Sequence, residues 1–175
     1  MSNDEHPFVL LLRALEDAGL RHALIGGHAV NVWSEPRFTA GIDLTVAAEP
    51  ERLAKVVRAL EQEGYRLTFH PVDALPSGPD FVRLMGEPAQ PPIDLLVAKT
   101  AFQVELLARA VPVPGSLAVA TPEDLIVLKL ISYRSRDQVD LRSLSESPDL
   151  DWAYVERWAD AWEVGDRLQD LRVRE

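Results

Sequence analysis

"GGHAVNVWSEPRFTAGIDLTV", residues 26 to 46, decides how this chain is read. A glycine pair opens a short helical stretch. Arg37 and Thr39 follow in a loop, and Asp43 then stands in the alternating run Ile42-Asp43-Leu44-Thr45-Val46. Alternation at period two puts Ile42, Leu44 and Val46 on one face of a strand and Asp43 and Thr45 on the other. A metal site would place a second acid two residues before Asp43, on the same face. Gly41 stands there instead.

Working outward, "PFVLLLRALEDAGL" before the motif carries Val9, Leu10, Leu12, Leu15 and Leu20 at amphipathic-helix spacing, with Gly19 near its end. "HALIG" reads as a short buried strand. "PERLAKVVRALEQEGY" reads as a helix with Leu53, Val56, Val57 and Leu60 as its stripe and Gly64 as its stop. "RLTFHP" and "DFVRLMG" read as strands joined by the turn-rich "VDALPSGP", and "PPIDLLVA" as a further strand. "TAFQVELLARA" is a helix capped by Thr100, and "VPVPGSLAVA" is extended. "TPEDLIVLKLISYR" is a helix with Thr121 as its cap and Pro122 at its first position, and "SRDQVDLRSLSES" continues it. One or two helices end the chain, with Trp152, Val155, Trp158 and Ala159 as a stripe and Gly165 as a breaker. The order predicts an α/β or α+β core, a mixed sheet flanked by helices. Residues 1–145 form the main domain and 146–175 a helical tail packed on it.

Composition narrows the function classes. The chain of 175 residues carries a formal charge of -10, which disfavours broad contact with nucleic-acid backbones but leaves room for a local basic pocket. There are no cysteines, so disulfides, thiolate metal sites and cysteine nucleophiles are excluded together. No apolar run is long enough for a membrane span, and the acidic start "MSNDEH" lacks the basic opening of an export signal. A cytoplasmic protein is expected. The four histidines, His6, His22, His28 and His70, show no metal-ligand spacing.

Asp94, in "PPIDLLVA", is the second acid of interest, because like Asp43 it sits in an Ile-Asp-Leu triplet. Burying a lone carboxylate costs several kcal/mol unless it is paired or metal-bound. On the residues alone, two readings stand equally: a shared cluster, or two acids facing solvent. Residues 24 to 46, with Gly26-Gly27, Arg37-Phe38-Thr39 and Gly41-Ile42-Asp43, resemble the opening motif of the nucleotidyltransferase superfamily. The likeness is to small bacterial members related to abortive-infection and type IV toxin–antitoxin nucleotidyltransferases. Asp94 matches the third acid of that pattern, and "TPEDLIVLKLISYRSRDQVDL" matches the helix that follows the catalytic sheet.

The resemblance implies transfer of a nucleoside monophosphate from a nucleoside triphosphate to a hydroxyl of RNA, protein or a small molecule. It implies Mg2+ or Mn2+ held by Asp43 and Asp94, and phosphates held by Gly26, Gly27, Arg37, Lys129 and Arg136. It also implies a protein partner, a toxin or an antitoxin. Each assignment has a plainer alternative: a tight turn for the glycines, a surface loop for Arg37, a solvated helix for Lys129, and an i to i+4 pair with Asp140 for Arg136. His28 would face the phosphates, and Tyr133 would stack on a base or simply pack. The tryptophans would pack the tail or meet a partner.

Gly41 departs from the pattern at the residue it most needs. Loss of one ligand in a two-metal mechanism costs on the order of 10² to 10⁴ in rate. Three explanations follow: a degenerate member that binds without catalysing, a substitute acid such as Glu35 or Asp140, or an introduced change. The competing functions are an impaired transferase, a nucleotide- or protein-binding regulatory module on the same fold, and an ordinary α/β domain with solvated acids.

Overall fold

A computed structural model describes residues 6–69 and 80–173. The expected "VDALPSGP" connection and His70 lie outside the described residues. The chain runs α1 (Pro7–Asp17), β1 (Arg21–Ile25), α2 (Gly26–Trp33), β2 (Ile42–Ala47), α3 (Pro50–Gln62), β3 (Arg66–Phe69), β4 (Phe81–Met85) and β5 (Ile93–Val97). Then come α4 (Ala101–Arg109), α5 (Pro122–Ser132), α6 (Ser135–Ser145), α7 (Trp152–Ala161) and α8 (Gly165–Val173). Among the described residues no helix is long and apolar enough to cross a membrane.

The strands form one mixed sheet in the order β1-β2-β5-β4-β3. β2 and β5 are parallel, and the other pairs are antiparallel. This is the expected mixed α/β architecture, with helices packed around the sheet. Alternation sorts the side chains: Ile42, Leu44, Val46, Ile93 and Leu95 are buried in the core, while Asp43 and Asp94 take the opposite face. The extended segment after α4 completes the β1 edge. The Leu24 N–H donates to the Ala118 carbonyl (2.7 Å), and the Ala120 N–H donates to the Leu24 carbonyl (3.0 Å).

Thr100 and Thr121 cap their helices as expected, their hydroxyls accepting from the N–H groups of Gln103 and Asp124. The predicted long helix through residue 145 is two helices instead. Tyr133 ends α5 in the left-handed region at φ 46°. The Asp137 carboxylate then accepts from the Arg134 N–H (3.0 Å) and the Ser132 hydroxyl (2.8 Å), fixing the start of α6. The tail also differs in detail: it turns at Glu163, φ 55°, and Gly165 opens α8 rather than breaking a helix.

The tail packs on α5. The Tyr154 hydroxyl donates to Asp124, and Arg167 donates to the Leu130 and Ile131 carbonyls at 2.6 and 2.9 Å, satisfying the end of α5. Trp158 meets Phe102 edge-on, and Arg172 lies over Trp152, so these two rings are engaged within the fold.

Candidate functional site

Strand register assembles the site. Ile25 pairs with Asp43, Asp43 with Asp94, and Asp94 with Arg83, so one row crosses four neighbouring strands on one face of the sheet. Asp43 and Asp94, 51 positions apart in sequence, become direct neighbours because β2 and β5 run parallel in matched register. This row floors a cleft of about 890 Å³, walled by the start of α2, the loop before β2, α5 and the start of α6. That volume suits a nucleotide-sized ligand with space to spare.

The 26–46 motif has a packing explanation at each of its fixed positions. Gly26 turns the chain from β1 into α2 at φ +65°, a conformation that disfavours side chains. A Cβ there would also lie 2.2 Å from Asp43 Oδ2. On Gly27 a Cβ would lie 2.4 Å from Thr39 Oγ1. The diglycine is therefore the seat onto which Thr39 and Asp43 close. Ile25, at the N-cap of α2, offers no side-chain cap, and among the described residues the first turn of α2 borders the cleft with its N–H groups available to an anion. The loop between is held by Asn31, which donates to the Arg37 carbonyl (2.7 Å) and accepts from the Arg37 N–H (3.1 Å).

Arg37 is no free surface residue. Its Nε and Nη2 donate to the two carboxylate oxygens of Asp140 at 2.7 and 2.6 Å. Lys129 Nζ contacts both Asp137 and Asp140 at 2.7 Å. Burial by itself raises the pKa of each acid. Hydrogen bonds from Lys129, the Arg134 N–H and Ser132 at Asp137, and from Arg37 and Lys129 at Asp140, outweigh it and hold both carboxyls below their ordinary range. Arg37 and Lys129 border the cleft, yet their charges are balanced inside this network. The alternative pairing of Arg136 with Asp140 is not formed, since Asp140 faces Arg37 and Lys129. Arg136 is exposed on the cleft wall together with Arg134, and neither makes an ion pair among the described residues.

The floor differs. Asp43 accepts no hydrogen bond from any described residue. Burial, and then the charge of Asp94, push its carboxyl up to about 6 from 3.8. Asp94 is held by Arg83, whose Nε and Nη2 donate to its two oxygens at 2.7 and 2.6 Å. Sequence reading missed Arg83 and Arg134. The alternation of "FVRLM" sets Arg83 opposite Val82 and Leu84, but only the pairing of β4 with β5 brings it to Asp94. For Arg134 the missing signal is the helix break at Tyr133.

These residues do not fit the paired divalent ions that the resemblance implies. Gly41 offers no side chain, both oxygens of Asp94 are engaged by a guanidinium, and no cluster of three acids or histidines suited to a metal occurs among the described residues. Neither substitute acid fills the gap: Asp140 is fully paired, and Glu35 does not line the cleft. His28 is also turned away, edge-on to Phe8 at 5.0 Å. Tyr133 lies under Arg167, outside the cleft lining.

Solved structures share this fold at low sequence identity. The antibiotic-resistance factor ANT(2'')-Ia aligns over 94% of this chain and 92% of its own, with 18% identity and a TM-score of 0.58. The lincosamide antibiotic adenylyltransferase LnuA, solved with lincomycin, aligns over 78% and 92%, with 17% identity and a TM-score of 0.57. An antigenic nucleotidyltransferase-like protein from Paracoccidioides brasiliensis aligns over 98% and 93%, with 17% identity and a TM-score of 0.51. At such identities the likeness establishes the fold and nothing about substrates. No curated protein matches the sequence. The model of the family described as nucleotidyltransferase of unknown function, DUF6036, matches residues 11–175, and the chain belongs to that family.

Proposed function

We propose that the cleft binds a nucleoside triphosphate and that the chain transfers its nucleoside monophosphate to a hydroxyl acceptor, at a rate depressed by Gly41. The observation that carries this reading is the matched register of Asp43 and Asp94 beside the uncapped turn at Gly26. The N–H groups of Gly26 and Gly27 would meet the phosphates, with Arg134 and Arg136 above them. Arg37 and Lys129 act one step back, fixing the wall that presents those arginines. Transfer requires the acceptor oxygen to bond to the α-phosphorus while the bond to the β-phosphate oxygen breaks and pyrophosphate leaves. Asp43 is the carboxylate with the raised proton affinity to take the hydroxyl proton. Mg2+ or Mn2+ enters this reading with the triphosphate, and Gly41→Asp would give it the protein carboxylate beside Asp43 that the unaltered chain lacks.

LnuA is by name an antibiotic adenylyltransferase, and the net charge of -10 disfavours an RNA acceptor. A hydroxylated small molecule is therefore the acceptor class to test first, in a cytoplasmic setting where triphosphates abound. Residues 146–175 serve as a helical tail that braces α5.

A second reading rests on the Arg83–Asp94 pair. With Asp94 already occupied, the chain would bind a nucleotide, or a toxin or antitoxin partner, without transfer. One experiment separates the two. The chain and Gly41→Asp are incubated with labelled nucleoside triphosphates, magnesium, total RNA and a panel of aminoglycosides and lincosamides. The transferase reading expects labelled product from Gly41→Asp, on the order of 10² to 10⁴ faster than from the unaltered chain. A Cβ at position 41 would stand 3.3 Å from Pro92, so the acid is accommodated with a small shift. Nucleotide binding without product from either chain would favour the second reading.

A further inference from the structure

Four guanidinium groups border the cleft, and they are not equivalent. Arg37 is engaged by both oxygens of Asp140. Arg134 and Arg136 stand exposed on the wall. Arg83 rises from the floor with its side chain 48% exposed, and its Nε and Nη2 are engaged by Asp94. Its Nη1 makes no hydrogen bond among the described residues. Arg83 is thus a cation fixed at the sheet, beside the two carboxylates that the resemblance assigns to metal. Position 41, where a further metal ligand would stand, has no side chain.

We propose that Arg83 substitutes for a divalent ion here, so that the cleft binds the phosphate chain of a nucleoside triphosphate without metal. This rests on the reading that the cleft takes a nucleotide, and it deepens that reading by naming the cation that meets the phosphates. A guanidinium suits the task. It is permanently charged, and its planar fork matches two phosphate oxygens as it matches a carboxylate. Nη1 is not engaged by Asp94, so a phosphate oxygen can be met there while the pair with the largely buried Asp94 is kept. A divalent ion faces the opposite situation: to gain Asp94 it must first displace Arg83, and Gly41 returns nothing for that step. The phosphate chain would lie between Arg83 on the floor and Arg134 and Arg136 on the wall.

Calorimetry on the full chain tests this, with ATP, GTP, CTP and UTP each titrated in EDTA and again in magnesium. The unaltered chain is expected to bind at least one of them in EDTA, within about tenfold of its affinity in magnesium, a gap of about 1.4 kcal/mol. Arg83→Gln is expected to weaken the metal-free binding at least about tenfold, with Arg83→Lys intermediate. Asp94→Asn, which frees the guanidinium, is expected to tighten it. Thermal melts of each variant, unchanged within a few degrees, establish that the fold is intact. Binding in magnesium but not in EDTA overturns this inference alone. Equal metal-free affinity for Arg83→Gln and the unaltered chain overturns it as well. Absence of binding under both conditions overturns it together with the nucleotide reading of the cleft.

Discussion

Two groups of acids lie within one cleft and are treated in opposite ways. On the wall, Asp137 and Asp140 are buried, yet two cations, Lys129 and Arg37, and two further donors meet them, and both carboxyls stay ionised below their usual range. On the floor, Asp43 has no donor among the described residues, and burial beside Asp94 raises it to about 6. The wall is a closed network whose charges cancel, as expected of structure. The floor retains a charge the fold does not satisfy, as expected of a site that waits for a ligand. Charge alone therefore does not mark the functional residues. Lys129 and Arg37 also border the cleft, and they are already committed.

The largest effect is expected where the wall network loses its centre. Lys129→Met would leave Asp137 without its side-chain cation and Asp140 with Arg37 alone. We expect a loss of about 3–5 kcal/mol in urea unfolding; a loss below 1 kcal/mol would mean the wall is not held this way. Gly26→Ala comes next. Left-handed backbone and the collision with Asp43 together are expected to cost about 2–4 kcal/mol. Adding Asp43→Ala, measured near pH 4 where the carboxyl is protonated, should return part of the collision share, because Oδ2 and Cγ go while the Asp43 Cβ at 2.9 Å stays. A double variant no more stable than the single one would deny that Asp43 sits on Gly26.

Asp43→Asn sharpens the contrast from the other side, because it should stabilise. The folded-state pKa of Asp43, about 6, lies above its ordinary 3.8, so the folded protein prefers the protonated form. Stability falls as pH rises through that window and is level on either side of it. Asp43→Asn is therefore expected to gain on the order of 1–3 kcal/mol at pH 8 and nothing below about pH 4. A gain independent of pH would separate the effect from ionisation. The smallest effect belongs to Arg83→Gln, expected to cost about 1 kcal/mol, because Arg83 is half exposed although the Asp94 it leaves is largely buried. A loss of several kcal/mol would make Arg83 a structural residue like Lys129.

The motif was legible in the sequence because its parts answer to local rules. Alternation placed Asp43 opposite Ile42 and Leu44, Thr121 announced a helix start, and the glycine pair marked a tight turn. The pairing of Asp43 with Asp94 came only through family likeness, since strand order and register are set by contacts far apart in the chain. Two things stayed hidden for that reason. The start of α6 depends on Asp137 reaching back to Ser132 and the Arg134 N–H, against a sequence that reads as continuous helix. The binding of Arg83 to Asp94 depends on β4 lying beside β5, which nothing in "FVRLM" reveals.

The most direct measurement is a nucleotide titration followed by amide NMR of the full chain. If the floor of the cleft is where phosphates bind, the largest shifts will fall on the amides of Gly26, Gly27 and Arg136, with Asp43 and Arg83 close behind. Shifts confined to other surfaces, or none with any of the four triphosphates, would contradict the assignment of this cleft.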